Sequence, residues 1–294
     1  MDRFLRWLSE RPRVSLTSLA VYASFIVLTH FTVQRGVLEF RRVVTRPVFN
    51  VLTLSAVAAA LAGMTWWVVR NSRDMPNRDH RLRAWAAALI LLEASYLYLI
   101  AQFSESAHYP QYAFLAVLLL ATTRNYLDAY LLAALIAFVD EGFQYWGFRA
   151  ESPVYYDFND LLLNQVGTIV GLALVYGTVR TFEVRAPAST WPEQWRASWP
   201  LRLCTLLIVG GLLAFGAGVV QRYPDERSRP AWVVFDRGND GNTDFWRGGT
   251  ADKPVHRVTS TEGPLLFLGF VVGMVALNRP RRRHASDESA TPGA

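Results

Sequence analysis

Two observations predict an all-α fold for this 294-residue chain, in the form of a polytopic transmembrane helical bundle of about eight spans. First, apolar stretches long enough to cross a bilayer recur along the sequence, whereas a soluble core helix would carry a polar residue at every third or fourth position. Second, the basic residues, all arginine except Lys253, lie mostly between these stretches. Loops that set the orientation of a membrane protein have this pattern.

The candidate spans begin with an apolar run that is longer than the hydrophobic region of a signal peptide. No small-residue cleavage site follows this run, so we expect an uncleaved first span. The fourth and eighth runs are the shortest, which leaves seven spans or a re-entrant segment as the alternative. In order, the runs cover residues 15–33, 48–69, 84–103, 107–123, 126–146, 158–180, 201–220 and 263–278.

Arginines in the short connections predict the orientation of the bundle. The N-terminus and residues 70–83, 180–185 and 279–284 are basic, and the positive-inside rule places them, with both termini, on the cytoplasmic side. Segment 35–47 is the exception, because it carries four arginines and falls on the outer side. It either lies along the membrane surface or indicates an error in the first two spans.

The chain divides into five regions, of which the second is bounded by the motifs whose family resemblance is given below. In residues 181–200, Trp191, Trp195 and Trp199 recur every four residues. On one helix this spacing places three indoles on a stripe at headgroup level. In order, the regions are N-terminal membrane helices (1–92), a core of helices (93–180), an interfacial linker (181–200), a C-terminal helix pair (201–284) and a disordered tail (285–294).

The C-terminal pair encloses a polar extracytoplasmic loop, residues 221–262, which is too long for an ordinary connection. Its stretch "DRGNDGNTD" has the aspartate and glycine spacing of calcium loops, but Gly238 occupies a ligand position and Arg247 stands where the closing glutamate belongs. A hydrogen-bonded turn is the competing interpretation. We therefore expect no cofactor, with a divalent cation as the alternative.

Charge and motifs exclude several classes of protein. The formal charge of +6 comes from arginines in loops rather than from a basic patch on a soluble surface, so we expect no nucleic-acid partner. A single cysteine, Cys204, excludes an intramolecular disulfide and a cysteine-based metal cluster. The sequence has no P-loop, no H-E-x-x-H and no G-x-S-x-G, which disfavours nucleotide hydrolysis, zinc proteolysis and serine esterase chemistry.

Polar residues inside predicted spans need a reason, because an unpaired carboxylate or imidazole costs several kcal/mol in lipid. Glu93, in the middle of the third span, is either a proton or ion site or a hydrogen-bond partner for another helix. In "SESAHYPQY", Glu105, His108 and Tyr112 are spaced to share one helix face. Pro110 prefers a first turn, so this helix should begin after Glu105.

Further polar groups end the fifth span and begin the sixth. In "DEGFQYWGFR", Glu141 lies three residues before Gln144, and Arg149 follows as a counter-ion or a phosphate ligand. Asp140 shares a face with Gln144 at a spacing of four residues, and its role stays open. Asp157 has the position of a helix N-cap.

The sixth span contains a stripe in which polar and small residues alternate at helical spacing. Asp160, Asn164, Gly167 and Gly171 line one face, where glycines would let another helix approach closely. A polar network that only holds helices together is one interpretation of all these groups. We favour a functional site, because they fall at the outer ends of three spans and combine imidazole, acids, amides and arginine.

These pieces resemble the VanZ-like family over about residues 93–177, through E-x-x-H-x-x-x-Y, E-x-x-Q, a following arginine, and D-x-x-x-N-x-x-G-x-x-x-G. Gln111 departs from the glutamate usual before the tyrosine. The resemblance implies a multi-pass protein of the bacterial cytoplasmic membrane, in a family named for teicoplanin resistance. It also implies a site for lipid or lipid-linked headgroups in the outer half of the membrane.

Three functions compete for this site. In the first, the protein is an enzyme that hydrolyses or exchanges a headgroup at a phosphodiester, with His108 as general base or nucleophile and Glu105 or Glu141 orienting it. The second is a protein that binds or moves a lipid, lipid-linked saccharide or glycopeptide without turnover. The third is an envelope assembly subunit that recruits its partner through loop 221–262. In the first, Arg149, Gln144, Asp160, Asn164 and Tyr112 would bind substrate.

Overall fold

A computed structural model of the chain describes residues 1–44, 46–100, 103–147, 157–185, 190–221, 233–234, 248–250 and 253–278. Arg149 and the calcium-like stretch both lie outside these ranges, so the structure gives no account of either. The predicted tail, 285–294, also lies outside them.

The described residues are mostly helical. A 3₁₀ turn at Phe103–Ala107 precedes α5, and two short strand pairs occupy parts of the predicted loop: β1 (Val220–Gln221) is parallel to β2 (Val233–Val234), and β3 (Gly248–Thr250) is antiparallel to β4 (Lys253–Val255). The helices are α1 (Asp2–Ser9), α2 (Pro12–Val43), α3 (Arg46–Ser72), α4 (Arg78–Leu99), α5 (His108–Thr123), α6 (Tyr126–Gly147), α7 (Phe158–Thr178), α8 (Trp191–Ala197), α9 (Trp199–Gly216) and α10 (Glu262–Asn278).

Each of the eight predicted spans overlaps one long helix, but fewer of these helices have the length and apolarity of a span. Four qualify among the described residues, and the rest are shorter or more polar. The prediction of a helical membrane protein therefore stands at this coarser level. The four segments are Pro12–Thr29, Val51–Ser72, Phe158–Thr178 and Trp199–Gly216.

Two local features differ from expectation. The exception at segment 35–47 reflects an error in the ends of the first two predicted spans, because α2 continues to Val43 and α3 begins at Arg46. The tryptophan stripe is not one helix. Ser198 ends α8 and caps α9, its Oγ accepting a hydrogen bond of 3.1 Å from the Leu201 backbone N–H, so the chain starts a new helix there.

Helix α7 is the centre of the bundle and packs against α5, α4, α6, α3 and α10. Of its apolar segment 89% is buried, against 6% of Val51–Ser72 in α3. The exposed apolar side chains of α2, α3 and α9 would be unfavourable in water, and a lipid environment removes that cost. The outer helices therefore present the surface expected of lipid contact.

Helices α5 and α7 approach each other more closely than side chains normally allow. A Cβ added at Gly167 would lie 2.7 Å from the Tyr109 carbonyl oxygen, and one at Gly171 would overlap the backbone of Ala113. This confirms the expected role of the glycine stripe, since contact between helix backbones requires residues without side chains. The close crossing also fixes the register of α5 against α7.

The end of the bundle opposite His108 is held together by hydrogen bonds to backbone groups. Asp2 accepts from the backbone N–H groups of Arg180 (2.9 Å) and Thr181 (3.2 Å), which tie α1 to the end of α7. Arg124 donates to the Ser9 carbonyl at 3.1 Å. Arg81 donates to the carbonyls of Tyr176 and Val179 and so satisfies acceptors that the end of α7 leaves open.

Substitution of Gly171 by alanine should destabilise the protein by about 1–3 kcal/mol, because backbone atoms cannot move aside as a flexible side chain can. Reaction of Cys204, the only cysteine and a buried one, with a thiol-reactive fluorescent dye during heating would measure the loss. Gly210→Ala in α9 is the matched control, since a Cβ there meets nothing within 4 Å. Equal melting temperatures for the two variants would contradict the close crossing.

The stabilising contribution of Asp2 should depend on pH. Partial burial raises the pKa of Asp2, but hydrogen bonds from the backbone N–H groups of Arg180, Thr181 and Phe182 outweigh this, so its pKa lies below the ordinary value of 3.8. A carboxyl with a lowered pKa stabilises the fold above its unfolded-state pKa and loses that effect as the pH falls through the folded-state pKa.

Asp2→Ala should therefore melt below the wild type at neutral pH, and the difference should shrink as the pH drops below about 4. Intrinsic fluorescence during heating in detergent measures the melting temperatures of both proteins at each pH. The exposed Glu10 provides a control substitution, Glu10→Ala. A difference that does not depend on pH would show that the Asp2 charge contributes nothing.

Candidate functional site

The candidate site lies where one end of α5, α6 and α7 meets the 3₁₀ turn Phe103–Ala107. As expected from Pro110, α5 begins after Glu105, at His108. The close approach of α5 and α7 at Gly167 brings the first turn of α5 against α7, because a Cβ on Gly167 would lie 3.0 Å from the His108 carbonyl oxygen. Backbone packing thus sets the position of the imidazole.

His108 is 4% exposed, and both of its ring nitrogens face α7. Nδ1 lies 2.7 Å from Oδ1 of Asn164, and Nε2 lies 3.6 Å from Oδ1 of Asp160. A hydrogen bond to an amide oxygen requires the proton on Nδ1, which leaves Nε2 directed at the carboxylate. Orientation by Glu105 or Glu141 stays a prediction, since the two nitrogen contacts just given are to α7.

Glu141 and Gln144 form a second part of the site at the end of α6. Glu141 is 4% exposed and accepts a hydrogen bond of 3.3 Å from Nε2 of Gln144, as their spacing of three residues suggested. Its carboxylate also interacts electrostatically with Asp160, Asp157 and Asp140. These interactions place the end of α6 beside the start of α7.

Asp140, whose role the sequence left open, faces the interior of the bundle. The residue is fully buried, and its carboxylate interacts with the Tyr112 hydroxyl and the Gln144 amide. Tyr112 is fully buried as well and lies one turn below His108 on α5. Asp140 therefore belongs to the same polar cluster, at a deeper level.

Carboxylates dominate the rest of the cluster. Asp160 interacts electrostatically with Asp157, Glu105 and Asp140. Asp157 also accepts the Asn159 backbone N–H at 2.9 Å and is the N-cap of α7, which confirms the capping interpretation. Like charges this close repel, so a cationic partner or shared protons would stabilise the group.

One feature was not expected from the sequence: the last residues of the polar loop reach this end of the bundle. The Asn159 amide donates to the carbonyls of Leu99 (3.2 Å) and His256 (2.9 Å) and accepts from the Val258 backbone N–H at 2.8 Å. The His256 imidazole lies 3.3 Å from Glu262 at the start of α10. These contacts join the loop, α4 and α7 beside Asp160.

The sequence contains a local pattern that indicates part of this docking. Thr259 and Glu262 have the T-x-x-E spacing of a capping box, and the structure contains both reciprocal bonds: the Thr259 N–H donates to Glu262 at 2.8 Å and the Glu262 N–H donates to Thr259 at 3.2 Å. Asn159 had no such signal, because its partners lie far away in sequence.

The predicted residues that the structure brings together are Glu105, His108, Tyr112, Glu141, Gln144, Asp160 and Asn164. Glu93 is separate, since it is exposed on the surface of α4. Within the described ranges, no three His, Cys, Asp or Glu side chains are arranged to hold a metal ion.

The arrangement is suited to proton transfer and to hydrogen bonding. It combines the oriented imidazole of His108 with the Asp160 carboxylate near Nε2 of that ring. It also includes the Nδ2 group of Asn164, which is fully buried without a hydrogen-bond partner. A buried donor of this kind is costly unless it meets an acceptor, such as an oxygen of a bound molecule. The cluster therefore has features of a site rather than only of a structural network.

Asn164→Leu should cost about 1–3 kcal/mol of stability, because His108 Nδ1 would lose its buried partner. His108→Leu should also be destabilising, and the double variant should lose less than the sum of the two. Thermal unfolding in detergent of the wild type, the two single variants and the double variant gives a double-mutant cycle, with unfolding monitored by the reaction of Cys204 with a thiol-reactive dye. Additivity within about 0.5 kcal/mol would argue that the His108–Asn164 bond contributes little.

Comparisons with protein-family models, with curated proteins and with solved structures find no match for this chain.

Proposed function

We propose that this chain is a VanZ-like integral membrane protein that hydrolyses or transfers a lipid or lipid-linked headgroup at a phosphodiester bond. The observation that carries the proposal is the buried His108, held at Nδ1 by Asn164 and facing Asp160 with Nε2. An imidazole fixed in one tautomer beside a carboxylate is a common arrangement for a general base. The resemblance in motif order adds the substrate class.

In the proposed reaction, Nε2 of His108 takes a proton from water or from an acceptor alcohol as its oxygen attacks phosphorus. The bond from phosphorus to the leaving alcohol breaks, and the imidazolium returns the proton to that alcohol. Asp160 stabilises the imidazolium, 3.6 Å away. The unpartnered Asn164 amide donates to a phosphate oxygen, and Arg149, outside the described residues, neutralises the phosphate charge.

The remaining residues have positioning roles in this proposal. Gln144 holds Glu141 at 3.3 Å beside the site, and Tyr112 supports the cluster from below through its interaction with Asp140. Glu105 approaches from the 3₁₀ turn. Their mixture of acid, amide and phenol would distinguish a headgroup by its hydrogen-bonding groups.

We further propose a bacterial cytoplasmic membrane protein with eight spans, both termini in the cytoplasm and the site at the outer face. Support comes from the charge distribution. The connections at the end of the bundle opposite His108 have many arginines, whereas the described residues around His108 are mainly carboxylates. The junction of α2 and α3, with Arg41, Arg42 and Arg46, is the exception. The positive-inside rule assigns the arginine-rich end to the cytoplasm.

The test is a turnover assay with purified protein in vesicles, offered glycerophospholipids of different headgroups and lipid-linked saccharides. Phosphorus NMR would detect the released headgroup. His108→Ala should reduce the rate by at least about 100-fold, the contribution typical of a general base. His256→Ala is the matched control, because its imidazole is at the same end but is paired with Glu262.

A His108→Ala protein that processes these lipids as fast as the wild type would overturn the assignment of this residue. Saturable lipid binding by the wild type without release of any headgroup would instead support the non-catalytic binding or transport function.

A further inference from the structure

The end of the bundle opposite the candidate site has an unusual composition. It comprises residues 1–13, 70–83, 124–128, 180–185 and 193–202, and we call it the basic end. Fourteen arginines and seven acidic residues lie in these ranges. Around His108, the described parts of 99–108, 140–147, 157–160 and 256–262 contain six carboxylates and one arginine, Arg257. The exceptions on that side are Lys253 and the arginines at the junction of α2 and α3, Arg41, Arg42 and Arg46. Among the described residues, arginines are therefore most numerous at the basic end.

Hydrogen bonds make the basic end a fixed surface rather than a set of loose termini. Arg180 donates to the Asn71 carbonyl at 3.1 Å, which joins the ends of α3 and α7, while its backbone N–H is bound by Asp2 of α1. The Ser198 hydroxyl bonds to Asp128 and so ties the junction of α8 and α9 to α6. The positions of α1 and α8 against the bundle are thus set before any partner binds.

Large aromatic side chains are exposed on this surface or, in the case of Trp66, one helical turn away from it. Trp7, Trp66, Trp195 and Trp199 are 44%, 60%, 39% and 55% exposed. Two of these indoles contact an arginine four residues later: the Arg11 guanidinium is 5.2 Å from the Trp7 ring centre, and that of Arg70 is 5.1 Å from Trp66. Tryptophan with arginine is the combination found at the headgroup level of membranes.

Helix α1 shows which environment the surface fits. Leu5 and Leu8 are buried against the bundle at 0% and 1% exposure, while Phe4 and Trp7 are 39% and 44% exposed beside the exposed Arg3 and Arg6. A soluble partner could satisfy the arginines or the aromatic groups, but the membrane interface satisfies both at one depth. Apolar rings enter the acyl boundary there while guanidinium groups bind phosphates.

We propose that the basic end is a binding surface for anionic phospholipid headgroups, formed mainly by α1 with α8 and the ends of α3 and α7. The charge of the surface selects anionic over zwitterionic headgroups, because each arginine near such a surface contributes roughly fivefold in affinity. The inference is independent of the chemistry at His108, since none of its residues belongs to that site.

The experiment titrates detergent-purified protein with phosphatidylglycerol or phosphatidylcholine and counts bound lipids by native mass spectrometry. The wild type should bind phosphatidylglycerol more tightly, and the preference should weaken with salt. The triple variant Arg3→Gln, Arg6→Gln, Arg11→Gln should bind phosphatidylglycerol at least about tenfold more weakly, with phosphatidylcholine unchanged.

Two controls separate charge from folding and from position. The triple Arg→Lys variant at positions 3, 6 and 11 should retain the preference, and Arg257→Gln, which removes an arginine at the opposite end, should not alter it. Equal binding of the two lipids by the wild type, or full retention by the triple glutamine variant, would overturn the proposal. A wild-type dimer that shows no lipid preference and dissociates in the triple glutamine variant would show that a second copy of the chain occupies this surface. That result would also overturn the proposal.

Discussion

The backbone contact between α5 and α7 is the constraint on which the rest of the structure depends. Gly167 and Gly171 let α7 lie directly against Tyr109 and Ala113, and this fixes the register of α5 against α7 near His108. In a lipid environment, helices gain little from burying apolar side chains, so close van der Waals packing has to supply the association energy. The stripe of glycines therefore both holds the core together and sets the geometry of the polar cluster.

Placing polar groups in such a core requires that each finds a partner. His108 of α5 bonds to Asn164 of α7, and Asp140 of α6 interacts with Tyr112 of α5 at a deeper level, while Glu141 bonds to Gln144 within α6. A network that only joined helices would favour neutral groups, because buried carboxylates close to one another repel. The concentration of acids around one imidazole is the physical reason to regard the cluster as more than a structural device.

The two ends of the bundle have opposite character, and each follows from the same chain topology. The long helices run in alternating directions, so most arginine-containing connections, except the junction of α2 and α3, collect at one end and acid-containing helix termini at the other. The basic end contains the surface that we propose for anionic headgroups, while the other end, with the docked residues 256–259, contains the candidate site.

Local sequence determined the helices, their approximate ends and much of the site, because hydrophobic runs, capping residues and helical spacing act over a few residues. The start of α5 after Glu105, the N-cap at Asp157 and the close-packing face at Gly167 and Gly171 were all readable from such signals. Tertiary structure alone decided the partner of the His108 ring, the inward direction of Asp140 and the docking of the loop on Asn159. These depend on contacts between residues 28 to 99 positions apart in the sequence, which no local pattern specifies.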